Sequence, residues 1–284
     1  MSASTIDLHN HSQASDGALT PTELVRRAHA AGVQTLALTD HDSTDGLAEA
    51  ATEAARLGLQ LVTGVEISCL WQRRTIHVVG LDIDPAHPQL RAGLALLQSE
   101  RQQRAERIAA RLGKLGLRDA LPRAQAAGGG QLTRTHFARL LVEDGIAKDL
   151  KQAFKRYMVQ GKLGYVAAQW VPMDTAITWI HAAGGRAVLA HPMRYSLSGA
   201  WRERLFAAFS ECGGDAAEIS TANPDLNERQ LVTRLCQAHG LMGSAGSDFH
   251  SPEQSWIQHG RLAPLPEGIA PVWSGFRTAI TRSH

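Results

Sequence analysis

Apolar residues gather in seven short runs, each giving way at once to polar residues: TIDLHNHS, QTLALTDHDS, LQLVTGVEIS, RTIHVVGLDI, GRAVLAHP, DAAEIS and LMGSAGSDFH. Runs of this kind predict buried strands that deliver side chains to loops. Helical stretches lie between them. Thr20-Pro21-Thr22-Glu23 combines an N-cap threonine, a proline at the first helical position and a capping-box glutamate, and predicts a helix running to Gly32. Asp174 and Gly184 bracket another in the same way. Strands alternating with helices predict a parallel α/β fold, in which functional groups collect at the C-terminal ends of the strands. The alternation stops after Leu81 and resumes near Gly185. The stretch between is helical in pattern, rich in arginine and interrupted by Gly128-Gly129-Gly130. It predicts a helical insertion over residues 95–167, set into a barrel made of residues 1–94 and 168–284.

Charge sharpens that division. The chain of 284 residues has a formal net charge of only +2, but from Arg101 to Lys162 there are 14 lysines and arginines against 5 aspartates and glutamates. The rest of the chain is therefore acidic. An acidic body suits cations, and a basic insertion suits an anionic substrate or a solvated helical face. Cys69, Cys212 and Cys236 are widely spaced and form no disulfide framework, which predicts a reduced compartment. No apolar run approaches the length of a membrane span, so the expectation is a soluble, cytoplasmic protein.

The chemistry sits where the runs end. His9 and His11 form an HxH, and the two-residue strand period places both imidazoles on one face. Similar residues follow on later strands: Asp16 in the loop after the HxH, His41, Glu66, His77, His191, and Asp248 with His250. Nine ligand-type residues exceed what one four-coordinate zinc needs. Imidazoles and carboxylates without cysteine favour Mn²⁺, Fe²⁺, Zn²⁺ or Mg²⁺, in a cluster of two or three ions bridged by a carboxylate that Glu66 can supply. His29, His181 and His239 each precede a glycine at an expected helix end, where histidine suits the helix dipole and the free carbonyls. Cys69 reads as a small buried hydrophobe.

These motifs resemble the polymerase and histidinol phosphatase (PHP) family of metal-dependent phosphoesterases. The resemblance rests on Asp7-Leu8-His9-Asn10-His11-Ser12 with Ser15-Asp16-Gly17, and on Thr39-Asp40-His41-Asp42. It continues through Gly64-Val65-Glu66-Ile67, Ala190-His191-Pro192 and Gly246-Ser247-Asp248-Phe249-His250. It implies a distorted (β/α)₇ barrel with a trinuclear centre held by His9, His11, Asp16, His41, Glu66, His77, His191, Asp248 and His250. Manganese is the expected ion, with iron or zinc as alternatives. Asp7, Asp40 and Asp42 are expected to orient the imidazoles.

Such clusters lower the pKa of a bound water and clamp the attacking and leaving oxygens at phosphorus. Asp16, His191 and His250 are the expected catalytic groups at the centre. Arg101, Arg104, Arg134, Thr135, His136 and Lys162, all in the insertion, are candidates to hold a second, non-reacting phosphate. The segments ERQQRAERI, TRTHFARLLVEDG and AFKRYMVQGKLGYV resemble the bacterial branch that acts on nucleoside 3',5'-bisphosphates, some of whose members trim RNA from its 5' end. That implies removal of the 3'-phosphate from a nucleotide substrate such as 3'-phosphoadenosine 5'-phosphate. The main rival is a 5'-3' exonuclease on short RNA or DNA. A histidinol-phosphate phosphatase and a non-catalytic metal-binding protein are weaker readings. A lysine-bridged amidohydrolase is disfavoured, because all five lysines, from Lys114 to Lys162, fall in the insertion.

Overall fold

All seven apolar runs become strands of one sheet. A computed structural model of the chain describes residues 5–127, 131–222 and 225–277, so Gly128-Gly129-Gly130 lie outside the described residues. The strands are β1 (Ile6–Asp7), β2 (Thr35–Leu38), β3 (Gln60–Trp71), β4 (Arg74–Leu81), β5 (Val171–Pro172), β6 (Arg186–Leu189), β7 (Ala216–Thr221) and β8 (Met242–Gly246). Their order is β1-β2-β3-β4-β6-β7-β8, with β5 paired to the outer end of β3. Beyond the strand ends, Leu8 N donates to Ala245 O at 2.8 Å and Asn10 bridges Phe249, so β8 meets β1 and the ring of seven closes.

The ring departs from an all-parallel barrel at β4, which runs antiparallel to both β3 and β6. The cause is local. Gln72 and Arg73, which join β3 to β4, both have positive φ (48° and 63°), the geometry of a two-residue hairpin whose strands must run in opposite directions.

The helices are α1 (Pro21–Ala30), α2 (Leu47–Leu57), α3 (Pro88–Gly113), α4 (Ala120–Ala127), α5 (Arg134–Glu143), α6 (Leu150–Ala153), α7 (Met173–Ala182), α8 (Gly199–Glu211) and α9 (Leu226–Ala238). Thr20 and Glu23 make the reciprocal capping box of α1, and Gly32 follows at φ 86°. In α7, Pro172 takes the cap position, and Asp174 sits inside the first turn, at the positive end of the helix dipole. His29 and His181 lie in last turns and His239 at a C-cap.

Val62, Val79, Leu81, Val188 and Ala216 belong to a buried cluster of the ring strands, with helices packed outside. A second, separate core of Ala105, Ile108, Leu112, Phe137, Leu141 and Met158 lies in the basic segment. The boundary expected at residue 95 falls inside α3. Leu90, Leu94 and Leu97 of this helix pack with the barrel, and Ala105, Ile108 and Leu112 pack with the second core. No helix among the described residues is long and apolar enough to cross a membrane.

Candidate metal centre

One rim of the ring brings the nine candidate ligands together. His9 and His11 follow β1, His41 follows β2, His191 follows β6, and Asp248 and His250 follow β8. Glu66 lies within β3, because that strand continues past the rim into the hairpin. His77 arrives on the reversed strand β4, opposite Ser68, so it reaches the same rim from the opposite chain direction.

Three overlapping groups each offer ligand atoms within 4.8 Å of one another: His11, Asp16, His41 and His250; His9, His11, Glu66 and Asp248; and His41, Glu66 and His77. Glu66 is shared by two of them. Its Oε2 is 3.4 Å from His9 Nε2, 3.2 Å from His11 Nε2 and 2.9 Å from His41 Nδ1. Its Oε1 is 2.9 Å from His77 Nδ1 and 3.0 Å from His191 Nε2. Asp248 Oδ1 is 3.0 Å from His11 Nε2, and Asp16 Oδ1 is 3.3 Å from His250 Nε2.

The donor set fits divalent cations. Asp16 Oδ1, Glu66 Oε2 and Asp248 Oδ1 are buried and have no hydrogen-bond partner among the described residues, a costly state unless something positive lies among them. His9 Nε2 and His11 Nε2 face each other at 3.1 Å. Without a cation, protons take that part. Burial alone would depress His11, yet Asp248 and Glu66 raise its pKa to about 10. Burial alone would raise Glu66, yet the imidazoles of His41, His77 and His9 hold it well below the usual carboxylate range. His41, by contrast, is pushed down to about 4, chiefly by burial.

A residue outside the expected set does much of the positioning. Glu218, in β7, takes His9 Nδ1 at 2.6 Å through Oε1 and accepts the His191 backbone N–H at 2.6 Å through Oε2. An imidazole held this way presents its other nitrogen to a metal. The three aspartates expected in that part bind other groups. Asp7 accepts from Asn10 and from the Ser247 amide, and Asp40 accepts from Ser12 and Ser15. Asp42 accepts from the Ser68 amide and from Arg101. Arg194 pairs with Asp248 Oδ2 and leaves Oδ1 facing the centre.

Backbone strain collects at the same rim. Asp42, His191 and Asp248 have φ of 48°, 30° and 54°, a region non-glycine residues seldom occupy and that costs about 1–3 kcal/mol each. Each is tied down through its amide, to Glu66 O, Glu218 Oε2 and His9 O respectively. At Gly246 a Cβ would lie 2.4 Å from His9 Cβ, so only glycine lets β8 pass this close to His9.

The insertion covers one side of the centre. Thr133, the N-cap of α5, donates to Asp16 Oδ2 at 2.9 Å, and Arg139 Nη2 reaches Asp16 O at 3.2 Å. Between insertion and barrel, a recess is lined by Asp16, His41 and His77 on one side and by Arg101, Arg104, Arg134 and Thr135 on the other. Arg101 is neutralised by Asp42 at 2.6 Å. Arg104 and Arg134 have no carboxylate partner among the described residues. Burial, with Arg134 and Arg101 alongside, pulls the pKa of Arg104 down to about 9. Trp170 lies 5.6 Å from the Arg104 guanidinium and Phe154 lies 5.8 Å from that of Arg134. His136 is buried, its Nδ1 accepting the Thr133 amide within the capping box of α5. Lys162 is exposed and does not line the recess.

Known proteins resemble this chain. Residues 7–103 match the model of the PHP domain. The chain is 46% identical to a 5'-3' exoribonuclease of Haemophilus influenzae, over 95% of this chain and 98% of that one. It is 43% identical to a 3',5'-nucleoside bisphosphate phosphatase of Chromobacterium violaceum, over 98% of each. A solved Chromobacterium violaceum structure, described as an amidohydrolase with bound sulfate and no metal, superposes with a TM-score of 0.90 at 44% identity, covering 95% of both chains. The ring of seven strands, the histidine-rich rim and these matches agree: the chain belongs to the PHP family of phosphoesterases.

Proposed function

We propose that this protein removes the 3'-phosphate from nucleoside 3',5'-bisphosphates, such as 3'-phosphoadenosine 5'-phosphate, and leaves the nucleoside 5'-monophosphate. The observation that carries this reading is the pair Arg104 and Arg134. Two half-buried guanidiniums without a carboxylate partner among the described residues call for an anion, and their recess opens onto Asp16, His41 and His77. A substrate with two phosphates satisfies both places at once.

His9, His11, Asp16, His41, Glu66, His77, His191, Asp248 and His250 would hold two or three divalent ions, manganese foremost, with iron or zinc as alternatives. Bound there, the ions supply nucleophile activation and charge neutralisation. The chain's own residues do the rest. Glu218 and Arg194 keep His9 and Asp248 aimed at the centre. Asp16, His191 and His250 are groups able to hold or pass a proton beside the reacting phosphorus. Arg104, Arg134 and Thr135 fix the 5'-phosphate, and Arg101, spanning Asp42 and Ser68, braces the floor of their recess.

The exoribonuclease relatives favour a second activity of the same site. If the group esterified to the reacting phosphate is a nucleotide chain, the same attack releases a 5'-nucleotide from the end of an RNA. The test is release of phosphate or nucleotide from 3'-phosphoadenosine 5'-phosphate, 5'-AMP, 3'-AMP and a 5'-phosphorylated RNA, using Mn²⁺-loaded protein with a chelator control. Chelator-sensitive release favouring the bisphosphate over 3'-AMP is expected. Equal rates on 3'-AMP and the bisphosphate would remove the role given to the arginines.

A further inference from the structure

A second depression borders both the candidate metal centre and the arginine recess. Asp248 and His250 form its inner end, and Thr135 and Phe154 line both depressions and stand between them. At about 500 Å³, against about 130 Å³ for the arginine recess, it is far too large for a phosphate alone. Arg139 and Lys151 from the insertion line it, together with Glu253 and Trp256 from the segment that follows β8. That segment presents Trp256 to solvent, 62% exposed, immediately before Ile257, which is buried at 6%. The exposed indole therefore stands on an anchored loop, the same one that delivers Asp248 and His250. An exposed aromatic face sharing a groove with basic side chains suits a single nucleic-acid strand, whose bases stack and whose phosphates pair with cations.

We infer that this groove, between Trp256 on the barrel and Lys151 on the insertion, holds the stretch of a single-stranded oligonucleotide beyond the phosphate being attacked. The inference rests on the reading of the rim as a phosphoesterase centre. With the 5'-phosphate held by Arg104 and Arg134 and the next phosphate at the centre, the remaining chain leaves toward His250 and passes Trp256. A bisphosphate has no such chain and never enters the groove.

The test uses the full chain and two substitutions, Trp256→Ala and Lys151→Ala, singly and together. Binding of a 3'-fluorescein-labelled, 5'-phosphorylated hexaribonucleotide is followed by anisotropy with Ca²⁺ replacing Mn²⁺, and turnover of 3'-phosphoadenosine 5'-phosphate is followed separately with Mn²⁺. Loss of one stacked base is worth roughly 1–3 kcal/mol, so Trp256→Ala should weaken RNA binding about tenfold, with the double variant weaker still and kcat/KM for the bisphosphate unchanged. Unchanged RNA affinity in the double variant would overturn the inference, as would a wild-type protein that does not bind the hexamer, or an equal loss on both substrates. Groove-dependent RNA binding without hydrolysis of either substrate would leave the groove standing and remove the phosphoesterase reading instead.

Discussion

The barrel rim and the insertion meet the same problem, buried charge, in opposite ways. At the rim, carboxylates and imidazoles crowd together until oxygens of Asp16, Glu66 and Asp248 have no hydrogen-bond partner among the described residues, and the arrangement is held by Glu218, Arg194 and strained backbone. In the insertion, the excess charge is positive, and among the described residues only Arg101 of the three recess arginines finds a carboxylate. One side is short of cations and the other is short of anions. The cleft between them is suited to an ion-plus-phosphate assembly that neither side could stabilise alone.

Substitutions that unbalance one side should separate the two. The largest effect is expected from Glu66→Gln, which removes charge from a carboxylate shared by two ligand groups. Metal content, measured by elemental analysis after dialysis, and turnover should both fall by more than the ~10–100-fold typical of an outer positioning partner. Retention of full metal and full activity would show that Glu66 is not the bridge. Glu218→Gln comes next, with a loss of about 10–100-fold in metal affinity while thermal stability of the metal-free protein stays close to that of the wild type. On the other side, Arg104→Ala and Arg134→Ala should each raise KM for the bisphosphate roughly tenfold or more, the worth of a hydrogen bond to a charged group, with kcat and metal content little changed. Should metal content fall as well, the two regions would be less separable than their contacts imply.

The smallest effect expected is on stability against pH. His259 lies under the rim, its Nε2 2.8 Å from Asn10 Oδ1, and burial, with Arg27 adding to it, depresses its pKa from 6.5 to about 4. The unfolded chain therefore takes up a proton near pH 6.5 that the folded chain refuses until about pH 4. The contribution is full above pH 6.5 and is lost as pH falls through 4. Melting temperatures at pH 7 and pH 4.5 should drop less in His259→Asn than in the wild type.

Much of the rim was legible in the sequence because most candidate ligands lie at or just after the end of an apolar run, and seven runs in order leave little freedom in how the strands meet. Glu218 escaped notice for a physical reason. A single carboxylate inside DAAEIS carries no local signal, and its partner His9 lies 209 positions away in the chain. The same distance problem hid Asp42 behind the metal motif TDHD, when its partner is Arg101, 59 positions on. The reversal of β4 was also invisible, since Gln72-Arg73 lacks the asparagine or glycine that usually marks a tight hairpin. In the insertion, sequence identified basic residues but could not tell Lys162, exposed to solvent, from Arg104, half-buried beside Trp170.

One helix joins the two regions, and it acts as a ruler. α3 is 26 residues long, about 39 Å at 1.5 Å per residue, clamped by the barrel over its first turns and by the second core over its last. Arg101 and Arg104 sit at the graduation between the clamps. If these arginines hold the second phosphate as proposed, the separation between the two phosphate positions is written into helical register, and substrates would be sorted by how far apart their phosphates lie. Deleting one residue between Leu97 and Arg101 would swing the guanidiniums by about 100° around the axis, and an enzyme with every ligand intact would measure the wrong length.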